Sequence, residues 1–188
     1  MESLFAFKGL NYVLVAVDPT TKDRIMKLSH NPKHFNTDKI STTFIGEQSD
    51  FSRVALFVNE KMHYENKVNY IPITVKTMAK LIQKRVYDSL RKKSLRLSSI
   101  VTDGNEIYAV DEYGCLFAEK RIALGYALYF LNGIFDNQWK ETISREEGLQ
   151  IVKNCLKTLK EKFLLNIDEL DCRIVTSEGI ESLTVKYE

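Results

Sequence analysis

The sequence predicts an α+β chain: two mostly antiparallel sheets packed face to face and covered by helices, a four-layer αββα sandwich. Three observations predict it. β-branched and aromatic runs come in pairs joined by short turns, the pattern of hairpins and so of antiparallel sheets. Four other segments carry apolar residues at spacings of three and four, the period of amphipathic helices. The segments follow one another in blocks (strands, two helices, strands, two helices, strands), and such blocks bury every apolar face when stacked as helix–sheet–sheet–helix layers. One domain over residues 1–188 accommodates them all.

The opening "SLFAFKGLNYVLVAVD" predicts a hairpin, with the turn formers Gly9 and Asn11 between its two strands. "DPTTKDR" is a polar stretch, "IMKLS" a short strand, and "HNPKHFNTDK", with Pro32 inside it, a loop. "ISTTFIG" is a strand ending at Gly46. The first helix starts near Ser49, with Ser49 or Asp50 as its cap, and aligns Phe51, Val54, Ala55, Val58 and Met62 on one face. The stretch Asn66 to Tyr70 breaks it, and Pro72 suits entry to a second helix with Val75, Met78, Ala79, Ile82 and Val86 as its stripe. Strands return as "LRLSSIVTD", "EIYAVD" and "CLFAEKR", turning at Gly104-Asn105 and near Gly114. The third helix, from about Tyr126 to Phe135, is apolar on more than one side. The fourth opens on a capping box, Ser144 with Glu147, and aligns Leu149, Val152, Leu156, Leu159 and Phe163. Strands "CRIVTS" and "SLTVKY" close the chain around Glu178-Gly179.

The 27 basic and 25 acidic residues nearly cancel, so whole-chain charge favours neither nucleic acid nor an anionic membrane. No apolar run approaches the ~18 residues that span a bilayer. Lys8 and Asp18 interrupt the first residues, so no signal peptide is expected. Cys115, Cys155 and Cys172 are odd in number and widely spaced, which suits small buried hydrophobes in a reducing compartment. His30, His34 and His63 are scattered without a second ligand at metal-binding spacing, so neither a metal site nor a cofactor is expected.

Two threonine pairs invite a nucleophile. A threonine hydroxyl needs an activating base, and an N-terminal threonine uses its own α-amine. Thr42-Thr43 lie behind at least two predicted strands, and freeing either as a terminus would remove a hairpin that the sandwich needs. Thr20-Thr21 fail for the same reason, so both pairs are expected to be strand or loop residues. The basic run "KRVYDSLRKKSLR", Lys84 to Arg96, could bind nucleic acid or phosphate with Tyr87. With near-zero net charge and no aromatic platform, it is better read as the solvated face and end of the second helix. Asp18 closes the second strand and Lys33 lies in the following loop, an acid and an amine able to handle protons. Trp139 is either a partly buried anchor or an interface residue.

On these residues a resemblance emerges. "MESLFAFKGLNYVLVAVD" resembles the start of proteasome core-particle (20S) beta subunits, and among them the non-catalytic beta type 4. "FIGEQSDFSRVALFVNEKM", "ALGYALYFLNGIFD" and "TISREEGLQIVKNCLKTLKEKFLLNIDELDCRIVTSEGI" are similar to that family's first, third and fourth helices and closing hairpin. The resemblance covers nearly the whole chain and implies the N-terminal nucleophile hydrolase sandwich. In catalytic members a threonine opens the first strand after propeptide removal, and that place falls at or next to Glu2, with no Gly-Thr pair and no room for a propeptide. Asp18 and Lys33 match the family's aspartate and lysine. The family's Gly-Ser-Gly becomes Gly125-Tyr126-Ala127, and Leu164 and Leu165 take the approximate place of its second aspartate.

The resemblance therefore implies vestigial positions at Glu2, Asp18, Lys33 and Tyr126 and no catalytic residue. It implies a structural beta subunit in ubiquitin-dependent protein degradation, in cytoplasm and nucleus. Its partners would be other beta subunits, as ring neighbours and across to the opposite beta ring, and alpha-ring subunits, with no nucleic acid and no membrane. The alternatives are an active N-terminal threonine hydrolase with an unrecognised processing site, and a binding module that uses the basic run.

Overall fold

A computed structural model describes residues 2–23, 26–163 and 167–187. The chain opens with β1 (Ser3–Lys8), β2 (Val13–Val17), β3 (Thr20–Asp23), β4 (Met26–His30), β5 (His34–Thr37) and β6 (Ile40–Gly46). Helices α1 (Gln48–Val68) and α2 (Val75–Ser89) follow, then β7 (Leu97–Thr102), β8 (Ile107–Val110), β9 (Leu116–Ala118) and β10 (Arg121–Gly125). Helices α3 (Leu128–Gln138) and α4 (Arg145–Lys162) precede the closing hairpin of β11 (Glu169–Val175) and β12 (Ile180–Lys186).

One five-stranded sheet has the order β10-β1-β2-β11-β12 and the other β5-β6-β7-β8-β9, with β3 and β4 as a separate hairpin. Every pairing is antiparallel. Because side chains alternate between the faces of a strand, the inner strands fill two cores at once. Phe5, Phe7, Leu14 and Ala16 pack with Leu131, Phe135, Val152 and Leu156 of α3 and α4. Their sequence neighbours Leu4, Ala6, Val13 and Val15 pack with Ile45, Ile100 and Ala109 between the sheets. Beyond the second sheet, Phe44, Leu97 and Val101 meet Phe51, Val58, Met78 and Ile82 of α1 and α2. These three apolar layers make the predicted four-layer sandwich.

Several local expectations change. "TTKD" is a strand that pairs with β4, where a polar stretch was expected. Part of the expected loop after Pro32 is the strand β5, which turns at Asp38 in the left-handed region (φ 52) and pairs with β6. "CLFAEKR" divides: β9 ends the second sheet, whereas β10 crosses to the first and pairs with β1. The N-cap of α1 is Glu47 and makes no side-chain cap bond; Asp50 instead binds Arg53 Nη2 at 2.7 Å and accepts from Arg96 N at 3.1 Å. The buried face of α4 is centred on Ile151, Val152, Cys155, Leu156 and Leu159, which leaves Leu149 and Phe163 at its margins. Cys155 and Cys172 are buried, and burial pushes both thiols up, so they stay protonated and inert. Cys115 is exposed instead, because it ends the turn in which the Asp111 carboxylate accepts from its N–H at 2.7 Å. Trp139 is an anchor: its Nε1 donates to the Lys8 carbonyl at 2.8 Å.

The predicted capping box of α4 is formed, Ser144 accepting from Glu147 N and Glu147 Oε2 accepting from Ser144 N at 2.9 Å. Ser144→Ala should lower stability by about 1 kcal/mol, read as a lower urea midpoint with an unchanged slope.

Candidate functional site

At one end of the sandwich the chain buries a charge. Lys33 is 1 % exposed, and its Nζ donates to the carbonyls of Asp18 at 2.5 Å and Thr20 at 3.0 Å. An ammonium out of water needs a counter-charge as well as hydrogen-bond acceptors. Glu2 supplies it, with Oε1 2.8 Å from Lys33 Nζ and the residue itself 6 % exposed. Glu2 Oε2 accepts from the backbone N–H of Gly46 at 3.3 Å, where β6 turns into α1. The carboxylate is therefore held at one oxygen by a cation and at the other by an amide.

The backbone around Glu2 is as constrained as its side chain. Tyr126 N donates to Glu2 O at 3.1 Å, and Asp18 N donates to Ser3 O at 3.0 Å. A Cβ on Gly125 would lie 2.0 Å from Glu2 O, and Gly125 has a left-handed φ of +67, so only glycine serves there. Gly46, at φ +120, is excluded from carrying a side chain by Arg96 O, 2.3 Å from where its Cβ would be. Asp18 is 1 % exposed, and its Oδ1 accepts from Thr20 N at 2.9 Å, which shapes the turn that presents both carbonyls to Lys33.

Glu2, Asp18, Lys33 and the backbone of Tyr126 thus meet in one place. The Tyr126 ring contacts Phe163, 5.0 Å between centroids. Leu164, Leu165 and the side chain of His30 lie outside the described residues. In chemical terms the site brings together two carboxylates, an amine and an amide donor. The neighbouring Ser3 Oγ is buried without a hydrogen-bond partner, so no base activates it.

A second constellation depends on β5 being a strand, which the sequence pattern does not signal. Pairing of β5 with β6 sets His34 opposite Thr43, with Nδ1 2.7 Å from Thr43 Oγ1. His34 Nε2 faces β11 of the other sheet, 3.3 Å from Asp171 O and 3.8 Å from Asp171 Oδ2. A hydroxyl, an imidazole and a carboxylate in line resemble a nucleophile relay. Thr43 is wholly buried and does not line the cavity of about 340 Å³ that His34 and Thr42 border, so its hydroxyl is not presented to a substrate. Burial, with Arg173 and Lys33 also acting against the cation, lowers the His34 pKa from 6.5 to about 3. The ring is neutral, its approach to Asp171 is not an ion pair, and the group ties one sheet to the other. Thr42 lies beside it on β6, its hydroxyl 3.1 Å from Met78 Sδ, and Thr20 and Thr21 lie on β3.

Residues 2–175 match the family model described as "Proteasome subunit". The chain is 34 % identical over 191 residues to the "Probable proteasome subunit beta type-4" of Encephalitozoon cuniculi, covering 98 % of this chain and 97 % of that protein. It is 26 % identical to the "Proteasome subunit beta type-2" of Dictyostelium discoideum, with 97 % of each covered. The "Probable proteasome subunit beta type-4" of Schizosaccharomyces pombe is 21 % identical, with 98 % of this chain and all of that protein (100 %) covered.

Two outcomes follow from the geometry. Gly125→Ala should cost more than about 2 kcal/mol, since it combines a left-handed φ with a backbone collision, and a denaturant titration will read it. The unfolded His34 takes up a proton below 6.5 that the folded ring refuses until about 3, so the folded state loses stability as pH falls through that window. From pH 7 to pH 5 this contributes a loss of about 2 kcal/mol, and His34→Gln should flatten that part of the stability–pH curve whatever its effect at pH 7.

Proposed function

The chain belongs to the proteasome subunit family and is a beta-type member with glutamate at the head of β1; from that premise we propose that it serves as a non-catalytic subunit of the 20S core. The observation that carries this reading is the Glu2 carboxylate set between Lys33 Nζ and Gly46 N–H. Acyl transfer by a terminal threonine needs a hydroxyl there and a free amine behind it. A carboxylate already paired with the lysine supplies neither, and it leaves the amide donor occupied. Glu2, Asp18, Lys33 and Tyr126 are then relics of a catalytic arrangement, kept because the fold uses them to neutralise a buried cation.

What remains for such a subunit is assembly. It would stand in a beta ring between two beta neighbours, touch an alpha-ring subunit on one side and the opposite beta ring on the other, and help wall the chamber in which threonine-bearing neighbours degrade proteins, typically ubiquitin-tagged ones. The surface supports this. Leu128, Tyr129 and Phe130 on α3 are 49 %, 72 % and 39 % exposed, and Tyr70 between α1 and α2 is 87 % exposed. Large exposed apolar residues of this kind on both helical layers suit protein–protein contacts. The assembly would work in the cytoplasm and nucleus.

The test is a purified particle treated with an electrophile selective for terminal threonine. This chain should sediment with many other subunits and stay unlabelled while others take the reagent. Covalent labelling of this chain, or its recovery only as a monomer, overturns the reading.

A further inference from the structure

The basic run that the site does not use has a structure of its own. Helix α2 stops at Ser89, and the run continues through a tight turn. Ser89 Oγ donates to Val86 O at 2.6 Å and accepts from Leu95 N at 3.2 Å, while Lys92 N donates to Ser89 O at 2.9 Å. The pinned turn carries Lys92 and Lys93 to a pocket of about 400 Å³ between α1 and α2, where they join Arg53 and Arg85 over Val54 and Leu95. Asp88 is the one carboxylate that lines it.

The two guanidinium groups are oriented beforehand. Arg53 is fixed by Asp50 Oδ1 at 2.7 Å and by Ser49 O at 3.0 Å, which leaves its other donors open. Arg85 lies over the Phe57 ring, 4.9 Å from its centroid. Among the described residues, no carboxylate lies within ion-pair distance of Arg85, Lys92 or Lys93. With Arg53 already bound to Asp50, three further cations share the carboxylate of Asp88, and they repel one another unless a ligand brings negative charge.

We propose that this pocket binds an acidic segment of a protein partner, an extended stretch presenting two or more carboxylates. That the partner is another subunit of the particle rests on the assembly reading above; the ligand chemistry does not. A compact phosphate would find no helix N-terminus here and would meet the negative end of the α2 dipole beside Asp88, which disfavours it relative to carboxylates spread along a chain. A nucleic acid would need an open ring at the pocket to stack its bases; Phe57 is already covered by Arg85, and the exposed Tyr87 does not line the pocket. Carboxylates spaced along a peptide can instead meet Arg85 and the lysine pair separately, with main chain crossing Val54 and Leu95.

The experiment uses the full chain and a fluorescein-labelled peptide of alternating glutamate and glycine, followed by anisotropy at low and physiological salt. Binding should weaken as salt rises. The combined Arg85→Glu, Lys92→Glu and Lys93→Glu variant should lose at least about tenfold in affinity. These side chains are exposed, so the fold should be untouched. Lys80→Glu, on the same helix but outside the pocket, should change affinity less than twofold. Equal losses at both places, no binding of the peptide, or tighter binding of inorganic phosphate or a single-stranded oligonucleotide overturns the proposal. Sedimentation of the wild-type chain with the particle separates the two readings: a wild-type chain that assembles but does not bind the peptide sinks this proposal alone.

Discussion

A lysine ammonium taken out of water dictates the geometry at one end of this molecule. Around Lys33 stand the carbonyls of Asp18 and Thr20 in the β2–β3 turn and the carboxylate of Glu2, which the chain brings together from separate segments. The first strand is placed by that need. With Glu2 committed to Lys33, β1 starts where Gly125 lets the backbone pass and where Gly46 offers its amide. An uncompensated charge at such a position costs several kcal/mol, more than any one of the surrounding hydrogen bonds contributes.

The same interaction explains why the fold can persist without chemistry. A hydrolase site keeps a lysine near a nucleophile so that charge can move during the reaction. Here the charge is neutralised in the ground state by a side chain of the protein itself. The second polar group in the sandwich, His34 with Thr43 and Asp171, has likewise become fixed. Its ring is neutral and its hydroxyl enclosed, so it serves cohesion between the sheets.

With the interior spoken for, functional capacity lies on the surface. The helical layers present aromatic residues that no described part of the chain covers, and α1 and α2 enclose a cation-rich pocket with too few acids of its own. Apolar patches supply contact area, while charge complementarity selects partners and register. Both kinds of surface suit a chain whose work is done in contact with other chains.

The sequence by itself determined the parts governed by short-range period and capping: four helices with their stripes, the opening and closing hairpins, the Ser144–Glu147 box and the antiparallel sandwich that buries them. The family resemblance points to Glu2, Asp18, Lys33 and Tyr126, because Glu2, Asp18 and Tyr126 stand at the ends of legible strands or helices and Lys33 lies in the loop that follows the second strand. Only the tertiary structure decided that "HFNT" is an edge strand, that the residues from Leu116 to Gly125 serve two different sheets, that Cys115 is exposed, and that His34 meets both Thr43 and Asp171. The reason is physical. An apolar period is written in neighbouring residues, whereas the sheet a short strand joins, and the partner a buried polar group finds, depend on chain far away in the sequence, 137 positions for His34 and Asp171.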